Sequence, residues 1–138
     1  VNNKCDLVYL DPPYYSKYSD NEYVRRYHFI EGLVRDWQGV EIQEKSIVKK
    51  FKKYPSMFDT KMGSYKAIES LIKKYSKQII VLSYSSNSLP TLDEIKKIAK
   101  DNSRKIKAIE IDYTYSFGTQ KKLNKMKNRI KEYIFIIK

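Results

Sequence analysis

The sequence predicts an α/β fold with an open sheet that ends in an antiparallel hairpin. Short continuous apolar runs indicate buried strands, and segments with an apolar residue at every third or fourth position indicate helices between them. Two further apolar stretches follow each other near the end of the chain. The resulting order is strand, helix, helix, strand, helix, strand, strand, which describes one structural unit over residues 1–138.

The first strand is expected at Leu7–Leu10, where a continuous apolar run is closed by Asp11-Pro12-Pro13. Proline cannot donate to a sheet ladder and disfavours a helical residue before it, so the strand must end there. Apolar residues then recur with helical spacing from Asn21 to Trp37, and this helix is expected to end near Gly39. Residues 40–62 have weak periodicity and are expected to form an irregular, lysine-rich excursion.

The second half of the chain alternates helices and strands. Ser64 is the expected N-cap of a helix with apolar residues from Ala67 to Tyr75. Thr91 is expected to cap the next helix, because acidic residues occupy the first turn after it. The remaining expected strands are Ile79–Leu82, Lys105–Tyr113 and Glu132–Lys138, and the last two form the hairpin.

The composition is strongly basic, with 28 Lys and Arg against 16 Asp and Glu and a net charge of +12. Clusters of basic residues at Lys45–Lys53 and Tyr113–Lys131 would attract a polyanion such as nucleic acid. A chain rich in Lys, Ile, Asn and Tyr also results from AT-rich coding, so charge alone leaves the function open. The apolar runs are too short to cross a bilayer. With no secretory leader, no metal-ligand pattern and a single cysteine, we expect a cytoplasmic protein without a membrane partner or bound metal.

The tetrapeptide Asp11-Pro12-Pro13-Tyr14 is the strongest candidate for chemistry, because ligands of open α/β sheets lie beyond the carboxyl ends of the strands. Asp11 can supply a carboxylate and Pro12 a backbone carbonyl, which the two prolines aim in advance. The alternative is a proline turn in which Asp11 acts only as a local cap.

This tetrapeptide resembles motif IV of the amino-methyltransferases that use S-adenosylmethionine. The resemblance implies that the substrate is the exocyclic amine of a nucleobase, which is a poor nucleophile until hydrogen-bond acceptors such as Asp11 and the Pro12 carbonyl engage its two N–H groups. The segment Asp11–Asn21, followed by Tyr27–Leu33, resembles the region after the catalytic motif of D12-class DNA adenine-N6 methyltransferases of restriction-modification type. Leu82–Ser88 is similar to the Ser-Tyr strand end of that family, and Lys131–Ile136 to its last strand. The resemblance implies a partial Rossmann-like class I methyltransferase sheet, namely the half with motif IV and a terminal antiparallel hairpin. It also implies methyl transfer from S-adenosylmethionine to N6 of an adenine flipped out of DNA.

The same resemblance implies roles for individual residues. Asp11, Pro12, Pro13 and Tyr14 form the catalytic motif, and Asp11 and Pro12 also form one wall of the cofactor pocket. Tyr14 stacks on the flipped adenine, which contributes roughly 1 to 3 kcal/mol in place of the stacking lost from the duplex. Ser83 and Tyr84 end the neighbouring strand and could line the pocket, and the alternative is that Tyr84 is a core residue with a hydrogen-bonded hydroxyl. The candidate DNA-binding residues, for which a solvated surface role is the alternative, are Tyr15, Lys17, Arg25, Arg26, Lys121 and Lys122.

The chain also departs from the family pattern, in which a glycine loop for the cofactor and a target-recognition region precede motif IV. Here the motif begins at residue 11 and no Gly-x-Gly occurs. The chain is therefore interpreted as the catalytic C-terminal part, which needs a missing N-terminal cofactor-binding half or a companion subunit and is not expected to methylate alone. Its first strand should expose an unpaired edge around Val8 and Leu10, which would permit self-association. The alternative functions are a non-catalytic nucleic-acid-binding remnant and an RNA or cytosine-N4 amino-methyltransferase.

Overall fold

A computed structural model describes residues 5–17, 23–45, 47–52, 54–114 and 129–138 of the chain. In this part the chain has a mixed α/β fold around a four-stranded sheet with the order β1-β2-β4-β3. β1 runs parallel to β2, whereas β4 runs antiparallel to both β2 and β3. The predicted α/β class and the terminal antiparallel hairpin are therefore confirmed. The strands are β1 (Leu7–Leu10), β2 (Ile79–Ser85), β3 (Ile106–Thr114) and β4 (Arg129–Ile137).

Two helices, α3 (Lys61–Lys74) and α4 (Leu92–Asp101), supply the helical side of the hydrophobic core. Each helix has apolar residues at every third or fourth position, and these residues pack against alternate side chains of the strands. None of the described helices is both long enough and apolar enough to span a membrane. The buried core contains Ile68, Ile72, Ile80, Leu82, Tyr84, Ile95, Ile98, Ala99, Phe135 and Ile137.

The starts of these two helices test the predicted caps. Thr91 caps α4 as predicted, because its hydroxyl accepts from the Glu94 N–H and the Glu94 carboxylate accepts from the Thr91 N–H. The prediction for α3 was wrong, since Thr60 is the N-cap and accepts from the Gly63 N–H at 3.0 Å. Ser64 lies inside α3, fully buried, and its hydroxyl has no hydrogen-bond partner among the described residues. Both residues carry hydroxyl groups, so the local sequence did not distinguish them.

The single helix predicted from Asn21 to Trp37 was also wrong. The described part of this segment contains two short helices, α1 (Tyr23–Arg26) and α2 (His28–Val34), with a break at Tyr27. The spacing of apolar residues predicted helical structure correctly but did not reveal the break. Tyr27, at the break, lies in the cleft beside the tetrapeptide.

Trp37 lies beyond α2 with a positive φ of 58°, and its ring packs edge-on against Phe51 with 5.7 Å between ring centroids. Gly32 permits this approach, because a Cβ at that position would lie 2.8 Å from the Trp37 ring. Phe51 itself is fully buried. The predicted irregular excursion therefore folds back on α2 around one aromatic side chain.

β1 lies at one end of the described sheet and pairs with β2 alone among the described residues. The exposed strand edge predicted around Val8 and Leu10 is therefore confirmed. The side chains of Leu7 and Tyr9 are 52% and 59% exposed, because they point to the sheet face opposite the core. The strand register places Ile109 and Ile111 of β3 on this same face, and both are also exposed.

Candidate active site at the carboxyl ends of two parallel strands

The tetrapeptide Asp11–Tyr14 directly follows β1, beside the end of the parallel strand β2. Leu10 is in register with Leu82, so the residues after Leu10 emerge at the same sheet edge as Ser83. The carboxyl edge of parallel strands is the usual position of a ligand site in α/β proteins. The predicted placement of the tetrapeptide at a strand end is thus observed in the structure.

Tyr84 of β2 holds the two strand ends together. Its side chain is 1% exposed, and its hydroxyl donates to the Leu89 carbonyl at 2.6 Å. The Leu89 N–H in turn donates to the Tyr15 carbonyl at 2.8 Å, which forms an isolated bridge between the two segments. Burial raises the pKa of the Tyr84 phenol well above its ordinary value, so this hydroxyl remains a donor at neutral pH. The segment after β1 is therefore fixed to the segment after β2.

Tyr14 connects the Asp11 carboxylate to β2. Its hydroxyl donates to Asp11 Oδ1 at 3.2 Å and lies 3.4 Å from Ser83 Oγ. Its ring packs edge-on against Tyr84, with 5.1 Å between centroids and 72° between planes. Burial is the main cause that raises the pKa of the Tyr14 phenol, while the Ser83 hydroxyl lowers it. Tyr14 is therefore a neutral donor whose position both strand ends determine.

An open cleft of about 390 Å³ lies at the tetrapeptide, with a second pair of aromatic rings on its wall. Tyr23 and Tyr27 stack with 6.0 Å between centroids and 17° between planes. The Tyr23 hydroxyl accepts a hydrogen bond of 3.4 Å from the Tyr14 N–H, which ties α1 to the tetrapeptide. A carboxylate beside several aromatic rings suits a planar ligand with a polar edge. The cleft is lined by Asp11, Pro12, Pro13, Tyr14, Tyr23 and Tyr27.

Sequence reasoning missed Tyr23 and Tyr27 as lining residues. It placed them on a continuous amphipathic helix, where Tyr27 counted as part of the apolar face. The available signal was their spacing of four residues, which brings two rings to the same side of a helix. Their position next to Pro13 is a tertiary contact and was not predictable from spacing.

The structure describes only some of the predicted DNA-binding residues. Tyr15 is half-buried and bridged to Leu89, whereas Lys17 and Arg26 are exposed. Arg25 belongs to α1, but its side chain lies outside the described part of the structure, as do Lys121 and Lys122. DNA binding by Tyr15, Lys17, Arg25, Arg26, Lys121 and Lys122 stays a prediction.

Ion pairs reduce the charge of both basic clusters. Lys49 pairs with Glu44 at 3.0 Å, and Lys52 pairs with Glu41, although these glutamates precede the cluster in sequence. Lys131 at the second cluster pairs with Glu110 of β3. Such exposed pairs contribute little to stability, but they offset part of the positive field that the sequence suggested.

A further cleft of about 400 Å³ lies at the end of the β3–β4 hairpin. It contains no residue of the tetrapeptide, and its lining combines Asp112 with Arg129 and Lys131. This mixture of charges offers no field of a single sign. The tetrapeptide cleft is therefore the better candidate site, because it places a carboxylate beside three tyrosine rings directly after β1.

Comparison with known proteins gives three relatives whose names refer to methylation. The chain is 29% identical over 135 residues to the Type II methyltransferase M.FokI of Planomicrobium okeanokoites, which covers 96% of this chain and 20% of that protein. It is 30% identical over 102 residues to modification methylase StsI of Streptococcus sanguinis, covering 72% of this chain and 14% of that protein. It is 28% identical over 95 residues to modification methylase LlaI of Lactococcus lactis subsp. lactis, covering 69% of this chain and 14% of that protein.

The chain therefore spans between a seventh and a fifth of the length of these relatives. No protein-family model matches it. No solved structure gives a significant match.

Proposed function

We propose that this chain is the catalytic part of a D12-class DNA adenine-N6 methyltransferase of restriction-modification type, with an adenine flipped out of DNA as its substrate. The observation that carries this proposal is the Asp11 carboxylate at the carboxyl end of β1, in a cleft lined by tyrosines. The names of the three relatives, one a methyltransferase and two modification methylases, support the same conclusion.

Two acceptors of this chain would activate the adenine amine. Asp11 and the Pro12 carbonyl accept its two N–H groups, which withdraws the nitrogen lone pair from the ring and makes it available for attack. As the nitrogen bonds to the methyl carbon, the bond between that carbon and the sulfonium sulfur of the donor would break and leave its electron pair on the sulfur. The nitrogen would then carry the positive charge, which the nearby carboxylate stabilises. One N–H proton then leaves, with Asp11 as an available acceptor. Deprotonation before attack is not proposed, because an aromatic amine is far too weak an acid for a carboxylate.

The tyrosines of the cleft would hold the flipped base. Tyr14 is already positioned by its contacts with Asp11, Ser83 and Tyr84, so its ring needs little further ordering to stack on adenine. The stacked pair Tyr23 and Tyr27 offers further aromatic surface in the same cleft. Stacking of this kind replaces the contacts that a base loses when it leaves the duplex.

S-adenosylmethionine would supply the methyl group, but the residues of this chain fit only one side of its pocket. Asp11 and Pro12 could form that side. The four glycines at positions 32, 39, 63 and 118 form no Gly-x-Gly loop, and the described lining of the cleft consists of one carboxylate, two prolines and three tyrosines, without a glycine. We therefore assign most of the cofactor pocket, and the target-recognition region, to a preceding half of the protein or to a companion subunit.

Two structural features support the need for such a partner. The edge of β1 is unpaired among the described residues, so a further strand could extend the sheet there. The face that carries Leu7, Tyr9, Ile109 and Ile111 exposes apolar side chains that a folded domain normally covers. Self-association of this chain through the same edge is the competing outcome.

The test is transfer of a tritium-labelled methyl group from S-adenosylmethionine to duplex DNA containing adenine. The chain is assayed alone and together with the protein segment encoded directly upstream of it. We expect transfer only in the combined sample, and Asp11→Ala should lower it by at least about 100-fold. Asp101→Ala removes a carboxylate that pairs with Lys97 on α4, away from the cleft, and serves as the matched control.

The other outcomes point to specific alternatives. DNA binding without transfer in either sample would overturn the proposal in favour of a nucleic-acid-binding remnant. Transfer to cytosine N4 or to RNA would replace the adenine substrate with that of a related amino-methyltransferase. Full transfer by Asp11→Ala would refute the assigned role of the carboxylate.

A further inference from the structure

We infer that Ser83 is a positioning residue that fixes the Asp11 carboxylate through the hydroxyl of Tyr14. This inference rests on the proposed function, because it concerns how the same carboxylate is held for the reaction. Ser83 does not contact Asp11 in the described hydrogen bonds, and its hydroxyl lies 3.4 Å from that of Tyr14. The Tyr14 hydroxyl thus connects Ser83 of β2 with the Asp11 carboxylate that follows β1.

The direction of the two hydrogen bonds follows from the number of protons. An ionised carboxylate only accepts, so the single phenolic proton of Tyr14 is directed to Asp11 Oδ1 at 3.2 Å. The Tyr14 oxygen is then available only as an acceptor toward Ser83. Ser83 must therefore donate its proton to Tyr14, although its hydroxyl could serve either way in isolation.

This arrangement assigns different tasks to the two oxygens of Asp11. Oδ1 accepts from Tyr14, which leaves Oδ2 for an N–H group of the substrate. A carboxylate without this contact could rotate about its Cβ–Cγ bond and present either oxygen at a range of angles. Ser83 and Tyr14 therefore reduce the rotational freedom that the carboxylate would otherwise lose at the moment of reaction.

Ser83 is suited to this task because its backbone pairs with β4, and the residue before it, Leu82, is paired on both sides. It belongs to β2, which pairs with β1 on one side and β4 on the other, and it lies opposite Ile134. The adjacent core residues Leu82 and Tyr84 are each 1% exposed, which fixes the strand against the helices. The observed bonds of 3.2 and 3.4 Å are long for O–H···O contacts, so binding of substrate could tighten them.

The test measures single-turnover methyl transfer by the combined sample described above, together with its affinity for DNA. Ser83→Ala should slow transfer by about fivefold without weakening DNA binding, as expected for loss of one hydrogen bond to an oriented group. Ser83→Thr retains the hydroxyl and should restore the rate to within about twofold of the original. Ser85→Ala removes a hydroxyl of the same strand that bonds to Asn87 instead, and should leave the rate unchanged.

A double-mutant cycle separates positioning from a general effect on the fold. Tyr14→Phe keeps the ring but removes the hydroxyl, so adding Ser83→Ala to it should cause no further loss of rate. Independent, multiplicative losses in the double variant would overturn the inference, as would a full rate for Ser83→Ala alone. Circular dichroism of each variant verifies that the comparison is made between folded proteins.

The inference and the proposed function can fail separately. If Asp11→Ala abolishes transfer while Ser83→Ala has no effect, only the positioning role is refuted. If Asp11→Ala transfers at the original rate, or no sample transfers at all, both are refuted.

Discussion

Replacement of Tyr84 by phenylalanine tests whether one buried hydroxyl holds the two strand ends together. The Tyr84 side chain is 1% exposed and its hydroxyl donates to the Leu89 carbonyl at 2.6 Å. Tyr84→Phe retains the ring in the core but leaves this carbonyl without its described partner. A buried acceptor left unsatisfied costs about 1 to 3 kcal/mol, so we expect the free energy of unfolding to fall by about 2 kcal/mol.

The assay is urea denaturation followed by circular dichroism, with thermal unfolding as a second measurement. For a chain of this size, a loss of about 2 kcal/mol corresponds to a decrease in Tm of about 6 °C. Tyr75→Phe is the matched control, since Tyr75 is half-buried and none of the described hydrogen bonds involves its hydroxyl; it should change stability by less than about 0.5 kcal/mol. Equal stability of Tyr84→Phe and the original chain, at equal denaturant slopes, would refute the reasoning.

Three other substitutions test the fold. Thr60→Ala should lower the free energy of unfolding by about 1 kcal/mol, because it removes the N-cap of α3. Ser64→Ala should leave the free energy of unfolding unchanged or raise it, because the Ser64 hydroxyl is buried without a partner among the described residues. If urea denaturation shows Ser64→Ala to be the less stable variant, Thr60 is not the cap. Gly32→Ala should lower the free energy of unfolding by about 1 to 3 kcal/mol, because the new Cβ would lie 2.8 Å from the Trp37 ring. Val34→Ala is the control, since Val34 is 80% exposed. Equal losses of stability for the two variants would argue against this packing. The N-cap amide of α4 lowers the pKa of Glu94 below its ordinary 4.5, so the stability from this carboxylate is present above that pH and is lost as pH falls through the lower folded value. Glu94→Gln should show a smaller loss of unfolding free energy on acidification than the original chain, and equal pH profiles would exclude this contribution.

The candidate site combines features that local sequence predicts with contacts that it does not. Two prolines after an apolar run end β1 in any α/β context, so the location of Asp11 at a strand end followed directly from the sequence. Two residues that contact Tyr14 of the tetrapeptide, Ser83 and Tyr84, lie far from it in sequence. Ser83 is 69 positions from Tyr14, and nothing in the spacing of either residue indicates that their hydroxyl groups meet.

The charge of the basic clusters likewise depends on contacts that the local sequence does not predict. The sequence shows where lysines follow one another along the chain. It does not show which acidic side chains lie close to them in the folded protein. Glu41, Glu44 and Glu110 offset described lysines of both clusters across turns and strands. The net charge of +12 is a property of the composition, whereas the local field depends on the fold.

The sequence by itself determined the α/β class, the positions of the main strands, the capping box at Thr91 and the tetrapeptide after β1. These features depend on residue periodicity and on the fixed geometry of proline, which act over a few positions of the chain. Only the tertiary structure decided the strand order, the break at Tyr27, the cap at Thr60 and the contacts of Ser83 with Tyr14. These depend on which distant surfaces pack best together, because burial and hydrogen bonding between elements outweigh the small local preferences that distinguish one candidate residue from another.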